Sequence, residues 1–173
     1  MVTIIASTNR PDSSTLKLAK YYQKKLREKG LDTHLLSLMD LPANLIATDL
    51  YGKRSPEFGV IQDIITNTDK FLFVIPEYNG SFPGVLKVFM DACDFPASFY
   101  DKKAALVGLS SGKYGNIRGI EHFNGVCGYV HLNVMPLRIH IANIRQELDA
   151  NGDLFLPDTI KFTGEQMDKF VKY

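Results

Sequence analysis

The chain has 173 residues, 20 Lys and Arg against 19 Asp and Glu for a net charge of +1, 45% hydrophobic residues, 2 Cys and no Trp. At roughly 150 residues per domain this is the length of one domain, residues 1–173, with a core large enough to need no disulfide staples. A charge near neutrality, with no basic run longer than Lys24-Lys25, excludes nucleic acid and acidic membrane as the main partner, and no stretch of about 18 apolar residues occurs to cross a bilayer.

In chain order, Val2 to Ala6 is a first apolar, β-branched run. It has neither the basic start nor the long apolar stretch of a targeting segment. From Ser14 to Lys29, Leu18, Ala19, Tyr22 and Leu26 mark one face of a helix, the other face is Lys and Glu, and Gly30 stands where a C-cap belongs. Thr33 to Leu38 is the second strand run. Phe71 to Ile75 and Ala104 to Leu109 are apolar without alternation, as befits central parallel strands covered on both faces. Between them, Gly84 to Asp94 is a helix whose Val85, Leu86, Val88, Phe89, Met90, Ala92 and Cys93 form a face wider than packing on a sheet requires. Such a face points to a second subunit or to deep burial in a monomer. Val130 to Val134 alternates apolar with polar, the pattern of a strand near the edge. Strands alternating with helices make an α/β fold with a doubly wound parallel sheet. Cys93 and Cys127 are too few for a disulfide framework or a zinc site and read as small core residues, consistent with a reducing cytoplasm.

Right-handed crossovers bring the C-terminal ends of all strands to one edge, where such sheets bind ligands. Three loops therefore carry the expected site: Ser7 to Ser14, Pro76 to Pro83 and Ser110 to Arg118. The first offers hydroxyls, an amide, Arg10 and the free N–H groups of a helix start, a cradle for phosphate. The same residues also serve as an ordinary cap and turn, with Ser13 or Ser14 capping and Pro11 bending the chain. The loop matches neither the Walker A nor the G-x-G-x-x-G pattern. The second loop has two prolines, two glycines and two aromatics between Pro76 and Gly84. It is either a rigid backbone against which a planar ring lies or a structural turn with Tyr78 and Phe82 as packing residues.

Ser7-Thr8-Asn9-Arg10-Pro11-x-Ser13-x-Thr15, Pro76-Glu77-Tyr78-Asn79-Gly80-Ser81-x-Pro83-Gly84-x-Leu86-Lys87 and Ser110-Ser111-Gly112-x-x-Gly115 together resemble the NADPH-dependent FMN reductase family. The resemblance spans nearly the whole chain, and the middle motif is its most specific part. It implies a flavodoxin-like three-layer sandwich, a five-stranded parallel sheet of order 2-1-3-4-5 with helices on both faces. It further implies noncovalent FMN, NADPH or NADH as electron donor, and a homodimer or homotetramer formed through the helix 84–94. Carried across, Ser7, Asn9, Arg10, Ser13, Ser14 and Thr15 fall on the family's phosphate-holding positions. Pro76, Glu77, Tyr78, Asn79 and Gly80 fall on the segment lining the isoalloxazine ring, and Ser110, Gly112, Tyr114 and Gly115 on the loop at its other side. Three departures stand out: Ala6 where many members have Gly, a third loop unlike the commoner Gly-Gly version, and a short stretch after Gly164.

The chemistry the resemblance implies belongs to the cofactor. Hydride passes from the nicotinamide to the flavin and then to a flavin, quinone, azo or metal-oxyanion acceptor at the same open face, which predicts ping-pong kinetics. No catalytic side chain and no metal is required. His34, His122, His131 and His140 show no ligand spacing. Glu77 reads as structural in its loop and Asp91 as a partner in an intersubunit or intrahelical ion pair, while Arg10, Lys113 and Arg118 are the candidate readers of a nicotinamide 2′-phosphate. The rivals are a flavodoxin-type electron carrier without nicotinamide chemistry, which the net charge of +1 disfavours, and a module that has lost its flavin. Residues 43–56 are expected as a surface loop beside the site, and residues 137–143 as an extension of the edge strand or a partner contact.

Overall fold

The apolar runs form strands within a residue of the expected ends in a computed structural model that describes residues 1–173: β1 (Val2–Ala6), β2 (Thr33–Ser37), β3 (Lys70–Pro76) and β4 (Lys103–Leu109). They pair in parallel in the order β2-β1-β3-β4. Every residue of β1 and all but the first of β3 and β4 are buried, as expected of strands sandwiched between helices.

The fifth position differs from expectation. It is filled by two short strands, β5 (Asn133–Val134) beside Lys103 and Ala104, and β6 (Ile139–Ile141) beside Val107 to Leu109. Val130 to Leu132 is not strand at all. A helix, α5 (Ile117–Tyr129), runs up to it, Val130 N–H donates to Val126 at 3.1 Å, and His131 turns the chain with φ 54°. The two-residue alternation that resembles a strand belongs to a helix end and a turn, with Leu132 buried at 3% exposure. Between β5 and β6 the chain breaks away from the ladder beside β4. Gln166 fills the gap: its Nε2 donates to Leu106 O at 3.0 Å and Leu137 O at 3.1 Å, while its Oε1 accepts from Tyr22 Oη at 3.1 Å. Burial first, then the Tyr21 side chain, raises the Tyr22 phenol well above its ordinary value, so this network is held neutral.

Two helices, α1 (Ser14–Glu28) and α6 (Pro157–Lys172), cover one face of the sheet. Leu18, Tyr22, Leu26, Met167 and Phe170 meet Ile4, Leu72, Val74 and Val107 there. The α1 stripe is the one its periodicity predicts, and the chain leaves the helix through Gly30 at φ +83°, whose N–H bonds Arg27 O at 2.9 Å. The short α2 (Leu45–Thr48) lies in the segment 43–56, which is thus not a plain loop. With α3 (Pro56–Thr66), α4 (Gly84–Ala92) and α5 it covers the other face around Phe71, Phe73 and Phe123. Phe73 and Phe123 meet edge on, ring centroids 5.0 Å apart. Helix α4 ends two residues sooner than expected, because Cys93 is already extended at ψ 149°. Leu86, Phe89, Met90 and Ala92 are buried within the single chain, Val85 and Val88 are half-buried, and Asp91 pairs with Lys87 on the same helix at 2.6 Å. No helix is long and apolar enough to cross a membrane.

Candidate functional site

The strand register fixes where the site lies. Ala6 is level with Ser37 and Val74, Pro76 with Leu109, and Leu109 with Ile141, so the chain leaves the sheet at one edge through all the following loops. Helices that run back against parallel strands bring their N-termini to that same edge. A cavity of about 580 Å³ opens there, lined by Arg10 to Thr15, Lys17, Pro76 to Tyr78, Leu109 to Ser111, and Ile144, Arg145, Leu148 and Asp149.

In the first loop Arg10, Ser13, Ser14 and Thr15 line the cavity as anticipated. Ser13 is at once cap and wall: its Oγ accepts from Leu16 N at 3.1 Å, the bond that starts α1. Helix geometry gives the N–H groups of Ser14 and Thr15 no carbonyl of their own, and no other group of the chain takes them. Ser7 and Asn9 do not line the cavity. Ser7 is fully buried, its N–H bonded to Val74 O at 3.0 Å and its Oγ donating to Ile5 O at 3.3 Å, so it extends β1. The hydroxyl that matters between them is Thr8. Its Oγ1 accepts from Arg10 N at 3.2 Å and lies 2.7 Å from Tyr78 Oη, tying the first loop to the second.

In the second loop Pro76, Glu77 and Tyr78 line the cavity while Asn79 and Gly80 do not, and Glu77 N–H bonds back to Leu109 O at 2.9 Å. Tyr78 and Ser81 exchange both backbone hydrogen bonds, at 2.9 and 3.0 Å, around Asn79 (φ 52°) and Gly80 (φ 74°). This is the tight two-residue hairpin that Asn-Gly favours, and it leaves the N–H groups of Asn79 and Gly80 without an acceptor in the chain. The hairpin is anchored from α5, where His122 Nδ1 lies 2.8 Å from Ser81 Oγ.

In the third loop only Ser110, of the four anticipated residues, lines the cavity. Its Oγ accepts from Gly115 N at 2.9 Å and donates to Gly112 O at 2.9 Å, which folds the loop over itself. Tyr114 stands 69% exposed at the tip. Gly115 sits at φ +57°, and a Cβ on it would come within 2.7 Å of the His140 backbone, so the loop packs on β6 only with glycine there. Asn116, fully buried, donates from Nδ2 to Ile75 O at 2.9 Å and joins the start of α5 to the end of β3.

The fourth wall, Ile144, Arg145, Leu148 and Asp149, has no counterpart in the sequence reading, and neither does Lys17. With the fifth strand placed at Val130 to Val134, its following loop lay in the wrong place. Conversely, residues 43–56 contribute nothing to the cavity. There Asp49 accepts from Ser55 N at 2.5 Å, Thr48 Oγ1 at 2.6 Å and Ser55 Oγ at 3.0 Å. Burial alone would raise this carboxyl, but the three donors and Arg54 hold it below its ordinary value.

The lining is rich in hydroxyls and backbone donors, and its cations Arg10, Lys17 and Arg145 take part in no ion pair. The cysteines and histidines lie elsewhere. Burial pushes both cysteine thiols up, Cys127 to about 12. His131 stacks on Tyr100 at 4.2 Å, and His34 is on β2. The arrangement suits the binding of an anion at the start of α1 and a planar group by the hairpin, and it offers no acid–base pair.

Comparison with known proteins agrees with this geometry. The family model for NADPH-dependent FMN reductase matches residues 1–146. A 2-hydroxy-1,4-benzoquinone reductase of a Burkholderia species is 29% identical over 177 residues, 99% of this chain and 94% of the relative. FerB, a flavoenzyme NAD(P)H:(acceptor) oxidoreductase from Paracoccus denitrificans, superposes with a TM-score of 0.82 at 28% identity, covering 99% of this chain and 95% of its own. Megasphaera elsdenii flavodoxin shares the fold at 17% identity, with a TM-score of 0.61 over 98% of this chain and 99% of its own. With the flavodoxin-like strand order, the three motif loops at one sheet edge and a family match over most of its length, the chain belongs to the NADPH-dependent FMN reductase family and is an oxidoreductase.

Proposed function

We propose that the cavity holds FMN noncovalently and that the chain reduces a small-molecule acceptor, of the quinone or flavin class, with electrons from NADPH or NADH. One observation carries this reading. A single cavity of about 580 Å³, within the roughly 300–1,000 Å³ usual for ligand sites, joins unpaired helix N–H groups and Arg10 to Pro76, Glu77 and Tyr78 at the start of the second loop. The donor set fits the group: two free N–H groups, Arg10 and the hydroxyls of Ser13 to Thr15 for the phosphate, and rigid backbone at Pro76 to Gly80 for the ring.

The chemistry FMN supplies when bound there is two-electron transfer, donor and acceptor sharing one face in turn, which gives ping-pong kinetics. The chain's own part is binding and orientation. Ser13 holds the helix start, the Thr8–Tyr78 bond keeps the two loops in register, and Ser110 folds the third loop beside them. The N–H groups of Asn79 and Gly80 are the donors available to the ring's polar edge. Ser7 and Asn9 act by shaping the loop, and Gly112, Tyr114 and Gly115 by forming the wall beyond Ser110. The same reading carries assembly of two or four copies through α4, where Val85 and Val88 are the half-buried apolar residues available to a partner. Two free cysteines suit a reducing compartment such as the cytoplasm.

The test is the visible spectrum of the purified protein after incubation with FMN and desalting, followed by anaerobic NADPH. Retained flavin that bleaches is the expected result. Retained flavin that stays oxidised identifies an electron carrier instead, and no retained flavin removes both readings.

A further inference from the structure

The wall that the three motif loops leave open is closed by residues 142–156, and the family match stops at residue 146, inside this segment. The segment is built as a strap. At its start Asn143 N–H bonds Gly112 O at 2.9 Å and Ile144 N–H bonds Ser110 O at 3.0 Å, fastening it to the third loop. Leu148 then pairs with Leu154, Phe155 N–H bonds Glu147 O at 3.2 Å, and Asp149 N–H bonds Asp153 O at 2.9 Å, closing a hairpin. Its tip rests on α1. A Cβ on Gly152 would lie 3.1 Å from the Lys17 stem, and Lys24 Nζ bonds Asp153 Oδ2 at 2.6 Å.

Arg145 sits between these two anchorages and lines the cavity together with Arg10 and the start of α1. It is exposed and has no ion-pair partner. The acids that share the cavity do not neutralise it: Asp12 and Glu77 make no ion pair, and Asp149 Oδ1 accepts the N–H groups of Asn151 and Asp153 at 2.8 and 2.9 Å. A phosphate monoester carries a charge of about −1.5 to −2 near neutrality and offers three acceptor oxygens. The helix start provides about half a positive charge and Arg10 one more. Together they answer about 1.5 of that charge, which leaves a place for a further donor on the cavity wall.

We propose that Arg145 is a second guanidinium for the phosphate of the bound flavin, delivered from the strap into the cavity that Arg10 and the start of α1 also line. The proposal rests on the FMN reading above and assigns a binding role to a residue outside all three motifs.

The test titrates flavin fluorescence with flavin-free wild type, Arg145→Gln and Arg145→Lys, using FMN and, separately, riboflavin, which lacks the phosphate. R145Q should weaken FMN binding by about tenfold to a hundredfold, R145K should recover part of it, and riboflavin affinity should stay unchanged. An equal loss for riboflavin would show a merely structural role and overturn the proposal, as would unchanged FMN affinity. Unchanged FMN affinity with a raised KM for NADPH but not NADH would overturn it in favour of the nicotinamide 2′-phosphate. A wild type that binds neither flavin removes the FMN reading itself and the proposal with it, and is thereby distinguished from a failure of Arg145 alone.

Discussion

The two ends of the sheet carry matching sets of cations put to opposite uses. At the N-terminal ends of the strands, Lys102 Nζ donates to Ile65 O and Thr66 O at 2.9 and 2.8 Å, and Lys70 Nζ to Phe170 O and Val171 O, both at 3.2 Å. Lys103 bonds the Tyr173 carbonyl. These are the last carbonyls of α3 and α6 and the one just past α6, which have no partner within the helices, so each lysine completes a helix C-terminus. At the C-terminal ends of the strands, Arg10, Lys17 and Arg145 complete nothing, and the N–H groups of Ser14, Thr15, Asn79 and Gly80 are open. Antiparallel packing of helices on strands sorts the orphan groups, acceptors to one edge and donors to the other. The chain answers the first set itself and leaves the second without partners.

The contrast predicts that substitutions at the two edges separate stability from binding. The largest effect is expected at Gly115→Ala. The left-handed backbone and the 2.7 Å approach to His140 leave no room for a Cβ, so the variant should lose about 3 kcal/mol in urea unfolding and its flavin affinity as well. Lys102→Met acts at the opposite edge. Losing the cation from two helix-end carbonyls should destabilise the chain by about 1–2 kcal/mol while leaving flavin affinity at the wild-type value, and a weakened flavin complex would break the division between the edges.

Burial lowers the Lys102 ammonium below its ordinary 10.5, so the folded chain releases this proton before the unfolded one does. The wild type should therefore gain stability relative to K102M as pH rises through the window below 10.5. The smallest effect is expected at His140 on β6. Burial, against the opposing pull of the Gly115 backbone and Glu121, lowers its imidazole below 6.5, and the folded state favours the neutral ring. Its contribution is present above 6.5 and is lost as pH falls through the lowered value, so wild type should lose stability on acidification faster than His140→Gln. Parallel curves for the two would remove His140 from the account.

What was legible in the sequence follows from what a local pattern can encode. Unbroken apolar runs located β1, β3 and β4, because burial on both faces writes itself into every residue of a central strand. The Asn79-Gly80 turn was equally open to reading, since two successive left-handed residues are what that pair accommodates. The outer strand was not, because pieces of two and three residues are too short to show a period. Arg145 was lost with it. Nor could adjacent hydroxyls be told apart: on an extended backbone Ser7 and Thr8 point to opposite sides, and which one couples the loops depends on the register of β1 against β3. Gln166 had no local signal, since it spans the gap between β5 and β6 by bonding carbonyls 60 and 29 residues away.

That gap also bears on how the molecule behaves in a crowd. An open sheet ends in two rows of unsatisfied amides, each a template on which another chain can add a strand. Here one border is reduced to fragments, with Pro136 and Arg138 set between them. At the other border, Arg27 Nη2 reaches over to the Thr33 carbonyl at 3.0 Å. Both margins are thus blunted as templates, one by fragmentation and the other by an arginine over its first carbonyl.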